Sequence, residues 1–301
     1  MDVEATRGAS SEPISSDSSP ELRKKWIQIQ DSLKGKLITR DDFKWRLPTK
    51  DDEEEAVKSG EVLKFVGGVD LSFSRADPSV ACGSLVVLDL QTLRVVYEDY
   101  SVVRLHIPYI PGFLAFREAP VLLGLLQKMK ANSHPFYPEV LMVDGNGLLH
   151  PQGFGLACHL GVLADLPTLG VGKNLHHVDG LTKSRVTKLL EATENSTIDT
   201  LSLTGDSGCT WGAAMQSTRC SLKPIFISVG HRISLDTAVK IVRMTCKFRI
   251  PEPIRQADIK SRSYLHDHPE MHQHLCGRSN YLFILDSCCN RIFLNIEAII
   301  S

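Results

Sequence analysis

Apolar residues recur along this chain in short runs of strand length, and several of those runs end on an acid followed by glycine or serine. Val62 to Val69 carries Gly67-Gly68 and stops at Asp70. Ala81 to Leu90 and Leu93 to Leu105 follow, with Asp89-Leu90-Gln91-Thr92 as the turn between them, so the pattern predicts three strands with an antiparallel meander. A helix is predicted from about Pro120 to Lys130, preceded by PYIPGFLAFRE with Glu118 at its entrance. Val140 to Val143 reads as a short buried strand that ends on Asp144, and Gly145-Asn146-Gly147 after it reads as a turn.

Beyond that turn, Leu166 to Val171 predicts a strand ending at Gly172-Lys173, and Leu181 to Glu191 a surface helix. Short strands are expected at Leu201 and from Trp211 to Gln216, then a strong one from Lys223 to Val229 running into Gly230-His231-Arg232. Ser234 caps a helix to about Cys246, with Leu235, Ala238, Val239 and Val242 on its buried face, and a further helix starts near Glu252. Towards the amino terminus, Leu22, Trp26, Ile29 and Leu33 recur at helical spacing after Ser19-Pro20-Glu21, which predicts an amphipathic helix to about Lys34.

Composition changes this picture little. The 301 residues are 43 % hydrophobic and 23 % charged, which suits one substantial globular domain with appendages. A net charge of −1 excludes a global basic footprint, so nucleic-acid contact would be local. Six basic residues against two acidic between Arg243 and Arg262 are either a phosphate-facing surface or a solvated face. Asp51 to Glu55 reads as a solvated acidic linker. Eight cysteines without a CxxC pair suggest reduced thiols, there is no export signal, and no apolar run is long enough to span a membrane. Residues 1–20 are expected to be a disordered tail, 21–263 a catalytic domain and 264–301 an atypical appendage. His266, His268, His272, His274 and Cys276 match no closed zinc motif.

The candidate chemistry lies in the acids. A strand with Asp70, two more strands, Glu118 at a helix entrance and a strand ending on Asp144 is the order of an α/β, ribonuclease-H-like core: a mixed sheet flanked by helices. Carboxylates converging from separate elements supply the oxygen ligands that hard divalent cations take. A strand-end Asp that merely caps the next segment is the bland alternative for Asp144.

Several blocks, in order, resemble the endonuclease V family: GGVDLS around Asp70, PYIPGFLAFRE from Pro108 to Glu118, VDGNGLLHPQGFGLACHLG from Val143, LGVGKN around Lys173, SVGHRIS around His231 and RIPEPIRQAD to Asp258. The resemblance covers roughly Leu22 to Arg262. It implies an inosine-specific, metal-dependent endonuclease cutting single-stranded RNA at the second phosphodiester 3′ to inosine, leaving 3′-OH and 5′-phosphate, with deoxyinosine-containing DNA as a further substrate. The serine-rich tail and appended segments look like an animal member. A reader of inosine-RNA that has lost catalysis, and a ribonuclease-H-like nuclease without inosine selectivity, are the alternatives.

What the resemblance implies for residues is specific. Asp70, Asp144 and Glu118 would hold Mg²⁺, with Mn²⁺ able to substitute. Asp258 is a further metal ligand or a helix acid paired with Arg255 or Arg262. Lys173 orients the attacking water or neutralises the phosphate, or is a solvated lysine. His231 is a metal-proximal histidine or a turn histidine bonded to backbone. Pro108, Tyr109, Ile110 and Pro111 would wedge beside the extracted base, with Tyr109 stacking where the base was, unless it is a core tyrosine. The base would enter a pocket formed by backbone of Gly145, Asn146, Gly147 and Leu148, on to Leu149, and from Gly155 to Cys158. A backbone N–H there would read its 6-oxo group, and His150 would sit near this pocket or cap a turn. Asn174 stands where many relatives carry a second lysine. A monomer without membrane contact, in cytoplasm and nucleus with the nucleolus included, completes the expectation.

Overall fold

The computed structural model describes residues 20–49, 52, 60–105, 107, 110–193, 200–218, 221 and 223–269. Its strands form one eight-stranded mixed sheet, ordered β3-β2-β1-β4-β5-β8-β7-β6. These are β1 (Phe65–Phe73), β2 (Val80–Asp89), β3 (Val95–Arg104), β4 (Val140–Asp144), β5 (Thr168–Gly172), β6 (Thr200–Thr204), β7 (Thr210–Met215) and β8 (Ile225–His231). β1, β4 and β5 run parallel at the centre; the meander on one side and β8, β7 and β6 on the other are antiparallel. This is the ribonuclease-H-like architecture that the order of strands implied.

Alternation along the strands sorts the layers. Val69, Leu85, Val87, Leu141 and Val143 pack against α1 (Pro20–Lys34), α2 (Leu114–Ala131) and α3 (Leu156–Ala164). Val66, Val140, Met142, Leu169 and Val171 pack on the opposite face with α5 (Leu235–Thr245) and α6 (Glu252–Asp267). α4 (Lys183–Thr193) lies beside β6. Successive side chains of a strand face opposite sides. Asp70, Asp144 and the position of Lys173, two residues beyond Val171, therefore share the α6 side, where β4 and β5 run out.

Three elements differ from the sequence reading. β1 does not stop at Asp70 but runs on to Phe73, because β2 continues to pair with it through Ala81. The helix expected from Pro120 begins at Leu114, because Phe113 and Phe116 pack with Trp26 of α1, the Trp26 and Phe116 rings stacked at 4.9 Å, and fix an earlier start. Pro120 is then interior, where it lacks one helical N–H, and Glu118 sits in the second turn rather than at the entrance. α3 was not expected at all: its sequence, LACHLGVLA, is apolar on every side and buried from Leu156 to Gly161, so it shows no amphipathic period. α6 runs continuously through residues 263 and 264 to Asp267. Of the acidic run, Asp52 is described and pairs with Arg46. Among the described residues no helix is long and apolar enough to cross a membrane.

Packing of α6 on the sheet depends on Gly68. A Cβ there would lie 2.2 Å from the carbonyl of Pro253. The helix meets β1 and β2 through small residues one turn apart: Pro253 on Gly68, Ala257 whose carbonyl accepts from the Ser84 hydroxyl at 2.9 Å, and Ser261 against Ser72 at 2.7 Å. Gly68→Ala should therefore lower stability by about 3 kcal/mol or more, the upper end for overpacking a core. Gly124, inside α2 with open space at its Cβ, is the contrast: Gly124→Ala should stabilise by roughly 0.5–1 kcal/mol. Urea unfolding of both variants checks the pair.

Candidate active site

Strands β4 and β5 end at one cleft of about 320 Å³, alongside β1 as it runs past. Asp70 lies within β1, Asp144 ends β4, and Lys173 follows β5; Glu118 reaches in from α2 on the far face. Leu71, Leu114, Gly145, Asn146, Gly172, Asn174 and His176 complete the lining. The sequence named the four charged groups, and the fold brings them together.

Their electrostatics is dominated by crowded negative charge. Burial, then the neighbouring Asp144, pushes the Asp70 carboxyl up to about 7. Burial and Asp70 push Glu118 up to about 8. Lys173 Nζ donates to Asp144 Oδ2 at 2.5 Å. Partial burial opposes the lysine's charge, but Asp144 outweighs it and raises the ammonium above its usual value. Asp70 Oδ2 accepts from the hydroxyls of Ser72 at 3.1 Å and Ser261 at 3.2 Å. Neither serine was singled out from sequence, although Ser72 shares Asp70's strand face and Ser261 lies one turn beyond Asp258. Asp258 pairs with Arg262 at 2.6 Å, as in the helix-acid reading, and its charge raises Asp70.

The structure does not bring His231 to this cleft. Its partner in the antiparallel ladder is Thr168, at the opposite end of β5 from Gly172. That is four residues away, about 13 Å along a strand. Its Nδ1 accepts from the Ile38 N–H at 3.3 Å, and burial lowers its pKa. It fastens the segment after α1 to β8, which is the turn-histidine alternative. His150 Nδ1 accepts from the Gln152 N–H at 3.3 Å, and burial, with His176 nearby, lowers it to about 4. It caps a turn as a neutral ring, behind the cleft-lining His176 at 6.3 Å.

The glycine turn after Asp144 is wedged into the sheet. A Cβ on Gly147 would sit 1.9 Å from the Val229 carbonyl, and the Gly147 N–H donates to Ser228 Oγ at 2.8 Å. The N–H groups of Gly145, Leu148 and Gly155 go to Val171, Val229 and Gly147 carbonyls respectively. These four donors hold the turn. Asn146 Oδ1, by contrast, is buried with no hydrogen-bond partner among the described residues and belongs to a cleft-lining side chain. Ile110 and Pro111 lead into Gly112, whose φ of +85° lays it against Gln152. Pro108 and Tyr109 lie outside the described residues, as do His272, His274 and Cys276.

Among the described residues no three acids, histidines or cysteines stand as a ready-made metal cage. Asp144 is engaged by Lys173 and Asp70 by two serines. The donor set nevertheless fits a hard divalent cation, since it is carboxylate oxygen throughout and carries excess negative charge that such an ion would offset.

The raised pKa values have a definite sign. Asp70 and Glu118 hold protons in the folded state that an unfolded chain, with values near 4, would release, so stability is full below about pH 4 and is lost as pH rises towards 8. Glu118→Gln in chelator should melt several degrees above the parent at pH 8.5, at about 2–4 °C per kcal/mol relieved, and close to it at pH 4. Melting curves across that range test the sign.

The Endonuclease V family model matches residues 43–259. Endonuclease V of Mus musculus is 48 % identical over 240 residues, covering 80 % of this chain and 68 % of that protein. The Homo sapiens protein is 47 % identical over 240 residues, covering 80 % and 82 %. The crystal structure of the human catalytic domain superposes with a TM-score of 0.74 at 45 % identity, over 85 % of this chain and 99 % of that one. The Ciona intestinalis enzyme, solved with a 24mer DNA containing an inosine followed by a ribo-adenosine, superposes at 0.73 with 34 % identity, over 83 % and 99 %. The family match falls on the cleft and on the strands and helices that build it, and this chain is an endonuclease that belongs to the Endonuclease V family.

Proposed function

We propose that this endonuclease cuts inosine-containing single-stranded RNA at the second phosphodiester 3′ to the inosine, in a divalent-metal-dependent hydrolysis, and accepts deoxyinosine-containing DNA as well. The observation that carries the reading is the meeting of Asp70, Asp144, Glu118 and Lys173 in one cleft, at the ends of β4 and β5 and beside β1. Inosine as the target is supported by the Ciona complex with inosine-containing DNA.

In this mechanism Asp70 and Asp144 would hold Mg²⁺ or Mn²⁺, with Glu118 completing the acidic set, and such an ion would supply Lewis-acid activation of phosphate and water. Lys173 is kept charged by Asp144 and offers a fixed donor to negative charge growing on the phosphate. Ser72 and Ser261 donate to Asp70 Oδ2 and fix the orientation of its carboxylate. Asn146 places an amide at the cleft wall, within reach of a substrate polar group.

The test is cleavage of end-labelled single-stranded RNA carrying one inosine, beside adenosine and guanosine versions and a deoxyinosine DNA. A single cut immediately 3′ of the inosine's 3′ neighbour is expected with Mg²⁺, and none from Asp70→Ala or Asp144→Ala. Lys173→Ala should lower the single-turnover rate by about 10²–10³, the scale for losing one charge-stabilising donor. The rate should rise from pH 6 to 8.5 as Asp70 and Glu118 lose the protons that compete with metal. Specific binding without any cut would reduce the function to recognition, and equal cutting of all three RNAs would remove inosine from the reading.

A further inference from the structure

The ladder between β5 and β8 stops at Gly172 and Phe226. Further pairing is blocked because residue 224 is proline and has no N–H to give. The next carbonyls, of Lys173, Lys223 and Pro224, are met instead by one side chain from another part of the chain. Arg249 Nη2 donates to Lys173 O and to Pro224 O, each at 3.0 Å, and its Nε donates to Lys223 O at 3.1 Å. Its own carbonyl accepts from Ser217 Oγ at 2.8 Å. Arg249 therefore replaces the missing strand bonds with a guanidinium fork, at the residue whose ammonium meets Asp144.

We propose that Arg249 is a positioning residue for the endonuclease reaction, setting the place of Lys173 against Asp144 from behind and taking no part in phosphate binding. The inference rests on the role given to Lys173 in the proposed function. Arg249 also stands three residues before α6, the helix that brings Asp258 and Ser261 to Asp70. One side chain thus ties the β5 half of the cleft to the α6 half. An arginine in a nuclease is ordinarily read as a phosphate contact, and the sequence reading placed it in such a surface. Here its Nε and Nη2 are spent on main-chain carbonyls. Lysine, a single point of charge, cannot span three of them.

Arg249→Ala and Arg249→Lys should be compared with the parent in single-turnover cleavage of inosine-RNA and in binding of that RNA in chelator. Both variants should cut about 10²-fold more slowly, the effect of misplacing a catalytic group by an ångström. Affinity and its salt dependence should stay those of the parent. In a Lys173→Ala background, Arg249→Ala should cost nothing further. Independently of activity, Lys173 should be acylated faster in both variants, read by mass spectrometry of the labelled peptide. Arg249→Lys is the gentler change should the alanine variant melt below assay temperature.

Rescue by lysine together with a smaller salt slope in the alanine variant would make Arg249 a phosphate contact and overturn the proposal. So would an equal loss in the Lys173→Ala background, or unchanged Lys173 labelling. If the parent protein does not cut inosine-RNA, the cleavage reading fails, while the labelling result still decides whether Arg249 sets Lys173.

Discussion

Negative charge held out of water is the constraint on which the rest of this structure depends. Asp70 and Glu118 are each 8 % exposed and lie close enough to Asp144 and to one another that burial and repulsion keep both far above the ordinary carboxylate range. Such a cluster weakens the fold at neutral pH, because unpaired buried charge costs stability and neighbouring acids resist ionising together. What offsets it here is local: the Lys173 ammonium on Asp144, and the Ser72 and Ser261 hydroxyls on Asp70. The crowding that makes such a site costly to maintain is what a positive charge entering the cleft would relieve.

Holding these groups together requires backbones to approach more closely than side chains allow. Gly68 lets α6 settle on β1, and through that contact Ser261 and Asp258 reach Asp70. Gly147 lets the turn after Asp144 lie directly on β8, with its amides spent on Ser228 and Val229. The turn's rigidity is thus obtained from its own N–H groups, and the Asn146 side chain beside it lines the cleft wall.

The division of labour among arginine, lysine and histidine follows from strand direction. Lys173 follows the parallel strand β5 out of the sheet at the cleft, whereas His231 ends the antiparallel strand β8 at the other edge. Two residues adjacent to equally apolar runs thereby acquire unrelated duties. Arg249 looks in sequence like part of a basic surface, but its guanidinium is turned inward onto three carbonyls left by the end of the β5–β8 ladder.

The sequence by itself determined the strands, since each is a short apolar run with a turn signal behind it, and it singled out the acids, since Asp70 and Asp144 interrupt such runs. It placed a strand end at both, which holds for Asp144, whereas β1 continues past Asp70 to Phe73, and only the parallel register of β1 with β4 sets the two acids side by side. It could not show α3, which is buried on all sides and has no polar stripe, nor the early start of α2, which Trp26 fixes from eighty residues away and more. Nor could it show which end of the sheet His231 occupies, or that Ser72, Ser261 and Arg249 serve the cleft. Hydrophobic periodicity is a local property that one-dimensional spacing records. Strand direction, close backbone approach and the partners of a carbonyl at a frayed ladder are relations between distant segments, and only the packed chain decides them.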